Sequence, residues 1–292
     1  MRWINVTTPS PRRRGSRVRS HKNNYRTSLR QVFTRALLVV LSALLLGCPS
    51  TKEVKKEEAP PPPVKKAIVP DIIIRVGTLD LAKLKKKIER ADIERLAGIL
   101  RTEKIDIFAL QGIVRYPELK NRIDPLKELA GQTGMRQVFG ENLTVSGRQT
   151  GNAILSNYPI QSNTNTPFDG IQSTNFESAL QAMVDCGIGS LVVVSTHLPD
   201  NASADDQKAC VGLLRSFSTL YSDHPIIIAG NLPTSEDLKT TLPYDETGDN
   251  KSSSVFWFSK NGSLKLSEVK TENTPLGRTT FAEFGIFRKP QP

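Results

Sequence analysis

The sequence predicts an α/β domain in which two mixed β-sheets carry helices on their outer faces, and three observations support this class. Short apolar runs rich in β-branched residues recur through residues 71–292, as buried strands do. Amphipathic helical patterns lie between some of these runs. Other runs, such as 179–184 and 191–195, follow one another without a helix. A purely parallel alternation of strands and helices is therefore disfavoured.

The predicted strands and helices follow from periodicity. Apolar runs that read as strands occupy residues 72–76, 105–110, 153–155, 179–184, 191–195, 226–229 and 255–258. Helical spacing is found in three groups, which are Ile93, Leu96, Ala97 and Leu100; Leu126, Leu129 and Ala130; and Cys210, Leu213, Leu214 and Phe217. The polar segment 245–251 is predicted to be a solvated turn, because it lacks the ordered spacing of a calcium loop.

The chain begins with a region typical of an exported protein. Residues 1–47 contain ten Lys or Arg and no Asp or Glu, and they end in the apolar run 36–46. That run is shorter than the roughly 20 residues that a membrane-spanning helix needs. Residues 45–48, Leu-Leu-Gly-Cys, resemble a bacterial lipobox. We expect a lipoprotein signal peptide over 1–47 and a lipid anchor on Cys48, with an uncleaved membrane anchor as the alternative.

Residues 48–70 are predicted to be a tether. They mix charged residues with proline and lack apolar periodicity. The four consecutive prolines 60–63 favour an extended helix, which would hold residues 71–292 away from the membrane. A proline-rich recognition segment is the alternative.

The expected location is the bacterial cell envelope, with the domain in the periplasm or at the cell surface.

The net charge of +11 does not indicate a nucleic-acid partner. Ten of the positive charges belong to residues 1–47, and from Cys48 onward 30 Lys and Arg face 29 Asp and Glu. The net charge of the domain is therefore too small to attract a nucleic acid electrostatically. The expected partners are the membrane, through Cys48, and an envelope protein or a phosphate-containing ligand.

The remaining cysteines, Cys186 and Cys210, leave two interpretations open. In an exported protein two cysteines can form a disulfide. They can equally be two buried thiols, and the sequence does not give their separation.

Six segments, in order, resemble the endonuclease/exonuclease/phosphatase superfamily, whose members have the DNase I-like fold. The likeness extends from about Ile72 to Phe287. Its most specific piece is 151–160, Gly-Asn-Ala-Ile-Leu-Ser-Asn-Tyr-Pro-Ile; the other segments are 75–80, 94–111, 195–198, 225–233 and 278–284. The resemblance implies a four-layer sandwich of two mixed β-sheets flanked by helices, in a domain spanning 71–292.

The resemblance also implies a metal-dependent phosphodiesterase site, but most of its residues are replaced here. In the family a glutamate holds a divalent metal, an Asp and Asn pair orients the reacting groups, and two histidines, one backed by an Asp, transfer protons. His197 keeps its identity. The other positions hold Gly112 for the metal glutamate, Asp80 for the first-strand Asn, Asn231 and Pro233 for the Asp and Asn pair, and Leu276 and Gly277 for the closing Asp-His.

These replacements predict a catalytically degenerate domain that acts as a binding or scaffold module. Mg²⁺ in such sites relies on one or two carboxylates, and without one at Gly112 only Asp80 remains, so no cofactor is expected. Each lost proton-transfer group typically removes a factor of about 10² to 10⁴ in rate. His197, Asp80 and Asn231 are interpreted as vestiges of the catalytic site.

Two alternatives stay open. In the first, Asp80 takes over the lost carboxylate, binds Mg²⁺, and supports a weak or altered phosphodiesterase together with His197. In the second, the protein is a purely structural component of the envelope without a ligand.

Overall fold

The computed structural model describes residues 69–119, 122–168, 177–232, 242–247, 255–260 and 262–288. The predicted signal peptide, Cys48, all but the last two residues of the tether, and Pro233 lie outside these ranges. Among the residues described, none of the helices is both long and apolar enough to cross a membrane.

Twelve strands in the described ranges form two six-stranded sheets. The first sheet has the order β11-β12-β1-β2-β4-β3. Its strands are β1 (Ile72–Asp80), β2 (Ile107–Arg115), β3 (Arg136–Val145), β4 (Arg148–Ser156), β11 (Leu264–Thr274) and β12 (Gly277–Ile286). Strands β1 and β2 are parallel, and the other neighbours in this sheet are antiparallel.

The second sheet has the order β5-β6-β7-β8-β10-β9. Its strands are β5 (Ile160–Pro167), β6 (Ser178–Asp185), β7 (Ser190–His197), β8 (Ile226–Asn231), β9 (Tyr244–Thr247) and β10 (Val255–Ser259). Strands β7 and β8 are parallel, and the other neighbours are antiparallel. Both sheets are therefore mixed, as predicted.

Three apolar clusters show that the layers are helix, sheet, sheet and helix. The central cluster joins the facing sides of the two sheets and includes Ile107, Val193 and Phe256. A second cluster packs α1 (Arg90–Thr102) and α2 (Pro125–Thr133) against the first sheet. A third packs α3 (Ala204–Leu220) against the second sheet. The predicted four-layer α/β sandwich is confirmed.

The helices begin and end at residues that satisfy their free backbone groups. Helix α2 starts after Asp124, whose carboxylate accepts the N–H groups of Leu126 and Lys127, and it ends at Gly134 in the left-handed conformation (φ 74°). Helix α3 starts with a capping box between Ser203 and Asp206.

The predicted apolar stripes account for most of the buried helix residues. In α1 the four residues of the stripe are all buried, and in α3 Cys210, Leu214 and Phe217 are buried. Leu213, which was expected in the core, is only half-buried, and Val211 is buried in addition. The face of α3 is therefore rotated slightly from the predicted one.

The prediction of a turn from residue 245 onward is wrong over its first part. Residues Tyr244–Thr247 form β9, which pairs with β10 at the edge of the second sheet. Asp245 is exposed there while Tyr244 and Thr247 are buried, so the polar residue lies on a strand that faces solvent on one side. Residues 248–251 lie outside the described ranges.

Cys186 and Cys210 are free, buried thiols, so the disulfide interpretation is wrong. Cys186 belongs to the core between the sheets, whereas Cys210 is part of α3 and packs on the other face of the second sheet. The second sheet thus separates them. Burial raises the pKa of both thiols to about 12, which keeps them protonated.

Candidate functional site

Three predicted site residues meet at one edge of the sandwich, where the parallel strands end. Asp80 is the last residue of β1, and it aligns with Gln111 in β2. His197 ends β7 and aligns with Asn231, which ends β8. The carboxyl ends of both parallel pairs therefore supply the polar side chains, which is where open α/β sheets commonly form ligand sites.

Asp80 and His197 form a buried ion pair. His197 Nδ1 lies 3.2 Å from Asp80 Oδ2, and the two side chains are only 5% and 3% exposed. The two atoms are close but are not aligned for a hydrogen bond. Asp80 Oδ1 accepts the N–H of Ala82 at 2.9 Å. Both oxygens of this carboxylate are therefore directed at groups of the protein.

The environment of His197 favours its charged form. Burial, the largest single influence, acts to lower the pKa of His197. The contact with Asp80 and the negative charge of Glu177 together outweigh burial, so the pKa of His197 is raised above its ordinary value. The two nearby carboxyl groups therefore favour protonation of the imidazole.

Glu177, which the sequence analysis missed, is the second of these carboxyl groups. It lies directly before β6 and is 8% exposed. Burial, and to a smaller extent the charge of Asp80, raises the pKa of Glu177 to about 7, although the charge of His197 acts in the opposite direction. In the sequence, Glu177 is marked only by its place immediately before an apolar strand. A glutamate at such a place is more often a solvated residue at the end of a strand.

Asn231 contacts a further missed residue, Asp200. The Asn231 Nδ2 group donates to Asp200 Oδ1 at 3.2 Å, and Lys83 Nζ donates to Asp200 Oδ2 at 2.5 Å. These contacts, with that of Lys83 the larger, lower the pKa of Asp200. Asn231 therefore joins the segment after β7 to the end of β8. Asp200 follows the Thr-His-Leu segment by two residues, and nothing in the sequence marked it.

Gly112, at the position of the family's metal glutamate, has a backbone that disfavours any side chain. Its φ is +63°, and it lies within a bulge in the pairing of β2 with β4. A Cβ placed on it would lie 2.7 Å from the backbone N and Cα and from the Cβ of Ala82. The space that a glutamate side chain would enter is therefore occupied by the loop that follows β1.

The neighbouring Gln111 keeps a structural role. Its Nε2 group donates to Ser195 Oγ at 3.0 Å and to the Ala229 carbonyl at 3.3 Å. Its Oε1 atom accepts the Thr78 hydroxyl at 3.2 Å. One fully buried amide thus links β2 to β1, β7 and β8 by hydrogen bonds. These bonds hold together the strands that surround the site.

The residues present do not fit a divalent metal site. In the described ranges no three His, Cys, Asp or Glu side chains are grouped so that they could hold a metal ion. Asp80 is already engaged by His197 and Ala82. At the positions that the resemblance gives to the closing Asp-His pair, Leu276 is apolar and buried and Gly277 has no side chain, so neither residue offers a group that binds a metal or transfers a proton.

Comparison with known proteins agrees with this architecture. The crystal structure of an endonuclease/exonuclease/phosphatase from Beutenbergia cavernae has a TM-score of 0.58 at 17% identity, covering 75% of this chain and 73% of that one. The corresponding protein of Bacteroides vulgatus has a TM-score of 0.58 at 9% identity, over 74% and 99% of the two chains. The human Nocturnin catalytic domain, with bound sulfate, has a TM-score of 0.56 at 14% identity, over 74% and 94%. At these identities the likeness shows the fold.

A comparison with curated proteins found no match. The sequence model of the endonuclease/exonuclease/phosphatase family, however, matches residues 83–232. That segment runs from the loop after β1 to the end of β8 and is half of the chain. The chain therefore belongs to the endonuclease/exonuclease/phosphatase family.

Proposed function

We propose that this domain is a non-catalytic binding module of the family. The observation that carries the proposal is Gly112, which occupies the position of the metal glutamate with a φ of +63° and with Ala82 in the space of the side chain. A metal ion that lacks this carboxylate would depend on Asp80, whose oxygens face Ala82 and His197. Without the metal, the charge of a phosphodiester transition state would have no divalent counter-ion.

Proton transfer is also disfavoured. His197 is buried, and its Nδ1 atom faces Asp80 at 3.2 Å. Its raised pKa favours the charged imidazole, a form that cannot accept a further proton. The second family histidine has no counterpart at Leu276 and Gly277. The polar residues that are left hold the edge of the sandwich together.

The envelope location is part of the same proposal. We infer that residues 1–47 direct export, that Cys48 carries the lipid, and that 48–70 tether the domain to the membrane. These inferences rest on the charge and hydropathy of the sequence. A binding module held in this way would present its ligand site to an envelope protein or to a phosphate-containing ligand.

A weak phosphodiesterase is the second candidate, and one observation favours it. Asp80, His197 and Glu177 form a buried cluster in which the pKa of Glu177 is raised to about 7. A carboxyl group that titrates near neutral pH can serve as an acid or a base. This candidate requires Mg²⁺ binding that is lost in Asp80→Ala.

Calorimetric titration of the full chain with Mg²⁺, Mn²⁺ and Ca²⁺ separates the two candidates. The same samples are then assayed for hydrolysis of bis(4-nitrophenyl) phosphate. We expect no metal binding and no turnover above the buffer rate. Metal-dependent turnover that is lost in His197→Ala but kept in His224→Ala, a histidine outside the site, would contradict the binding role.

A further inference from the structure

A cleft of about 400 Å³ opens beside Gly112 and Leu81, the residue that follows Asp80. Its size falls in the range of roughly 300 to 1,000 Å³ that is usual for small-molecule sites. The cleft lies between the loop after β1, the end of β2 and the start of α2. Its walls are apolar and include Leu81, Leu84, Ile88, Val114 and Ile123. Neither Asp80 nor His197 lines it.

The polar lining of this cleft is positively charged. Its charged residues are Lys86, Lys87, Arg122 and Arg148, and no Asp or Glu is among the lining residues. Lys86 is neutralised by Asp92 at 3.0 Å. The ion pairs formed between described residues involve neither Lys87 nor Arg122 nor Arg148. Three positively charged side chains therefore line an apolar pocket without an ion-pair partner among the described residues.

This charge contrasts with that of the domain as a whole. From residue 71 onward the chain has 25 Lys and Arg against 26 Asp and Glu, so cations concentrated at one cleft are a local feature. A concave site lined by one sign of charge focuses its field on a ligand of the opposite sign.

Tyr116 adds an aromatic surface at the same place. The guanidinium carbon of Arg122 lies 4.8 Å from the centre of the Tyr116 ring, and both residues line the cleft. Such stacking orients the guanidinium plane and leaves its edge available for a planar pair of hydrogen bonds to an oxyanion. The cleft therefore offers an anion site and an apolar site side by side.

We propose that this cleft binds a small phosphate ester that carries an apolar or aromatic group. Lys87, Arg122 and Arg148 hold the phosphate without a metal ion, and the apolar walls hold the attached group. Several cations suit a dianion better than a carboxylate, and guanidinium groups match the geometry of phosphate oxygens. The proposal rests on the non-catalytic role proposed above and names the ligand class of that role.

Calorimetric titration of the full chain with phenylphosphonate tests the inference, with inorganic phosphate and benzyl alcohol as partial ligands. We expect phenylphosphonate to bind at least about tenfold more tightly than either partial ligand, because only it meets both halves of the cleft. Binding should weaken with added salt and be unchanged by EDTA. Equal affinity for phosphate and phenylphosphonate, no binding at all, or loss of binding in EDTA would overturn the proposal.

Charge variants locate the site. The double variant Lys87→Gln and Arg148→Gln should bind phenylphosphonate about tenfold or more weakly, since two charge-assisted contacts are lost. Lys85→Gln is the matched control, because Lys85 is an exposed lysine of the same loop that does not line the cleft. It should bind within about twofold of the unchanged chain, since an exposed charge that does not line the cleft contributes little. The same loss in both variants would overturn the assignment.

The ten basic residues of 1–47 are common to all variants, so differences between variants report on the cleft. Unchanged melting temperatures show that the exposed substitutions leave the fold intact. Hydrolysis of 4-nitrophenyl phosphate by the full chain would refute the non-catalytic role. Failure to bind phenylphosphonate refutes only the ligand class, so the two failures are distinguishable.

Discussion

Replacing Gly112 by glutamate asks whether one substitution can supply the carboxylate that the proposed binding module lacks. We expect that it cannot, because the residue would have to keep a φ of +63° and avoid Ala82, whose backbone lies 2.7 Å from the Cβ position. A left-handed conformation costs a non-glycine residue roughly 1 to 2 kcal/mol. Displacing a packed backbone segment typically costs about 1 to 3 kcal/mol more. The expected loss is therefore about 2 to 5 kcal/mol of unfolding free energy.

Two alanine variants separate these costs. Gly147 has a similar φ of +76°, and nothing lies within 4 Å of its Cβ position, so Gly147→Ala bears the conformational cost alone. Gly112→Ala bears the conformational cost and the contact with Ala82. For a domain of this size each kcal/mol shifts the melting temperature by roughly 2 to 4 °C. Gly112→Ala should therefore melt several degrees below Gly147→Ala.

The assay is thermal unfolding followed by circular dichroism, combined with Mg²⁺ titration of Gly112→Glu. Two results would refute the reasoning. The first is a Gly112→Glu variant that is as stable as the unchanged chain and binds Mg²⁺. The second is equal destabilisation by Gly112→Ala and Gly147→Ala, which would mean that Ala82 moves aside at no cost.

Three further outcomes are expected. Because burial raises the pKa of Glu177 from 4.5 to about 7, the folded state holds its proton more tightly, so stability from this group is lost as the pH rises through that interval. Glu177→Gln should remove this loss in melting curves taken from acid to mildly basic pH, and parallel curves for the two chains would contradict it. Gln111→Leu should cost about 2 to 4 kcal/mol in urea unfolding, because it leaves several buried polar groups without partners, whereas the half-buried control Gln149→Leu should cost under about 1 kcal/mol. In a Cys48→Ser chain, Cys186 and Cys210 should react with Ellman's reagent only after unfolding, and fast reaction in the native protein would show that the two thiols are accessible.

The interior strands could be predicted from the sequence because they are apolar on both faces. Strands β2, β6, β7 and β8 are buried along most of their length, and each contains a predicted apolar run. The four strands that lie at sheet edges, β3, β5, β9 and β11, were not predicted. Strand β5 illustrates the reason, because Gln-Ser-Asn-Thr-Asn-Thr at 161–166 is mostly exposed and its backbone is ordered by pairing with β6. Such strands depend on their neighbours more than on their own pattern.

The candidate site was predictable only where a motif marked a strand end. Asp80, His197 and Asn231 could be located because each follows an apolar run that resembles a family strand. Glu177 and Asp200 could not, since their importance comes from contacts between segments distant in the chain. The conformation of Gly112 was equally hidden, because the sequence shows that a carboxylate is missing but not that the backbone has taken a left-handed conformation.

The close approach of Ala82 to Gly112 links the proposed loss of the metal site to the presence of the cleft. Leu81 donates its N–H to the Gln111 carbonyl at 2.9 Å, and Ala82 donates to Asp80 Oδ1 at 2.9 Å, so the loop after β1 is fixed against the middle of β2. Leu81 and Gly112 also line the cleft, whose cations lie on the same loop and on the segments beyond β2. A larger residue at 112 would push this loop outward and change the cleft wall. The missing side chain is therefore a condition for the cleft, and an anion held there would be bound by the cations that line the cleft instead of by a metal at the strand ends.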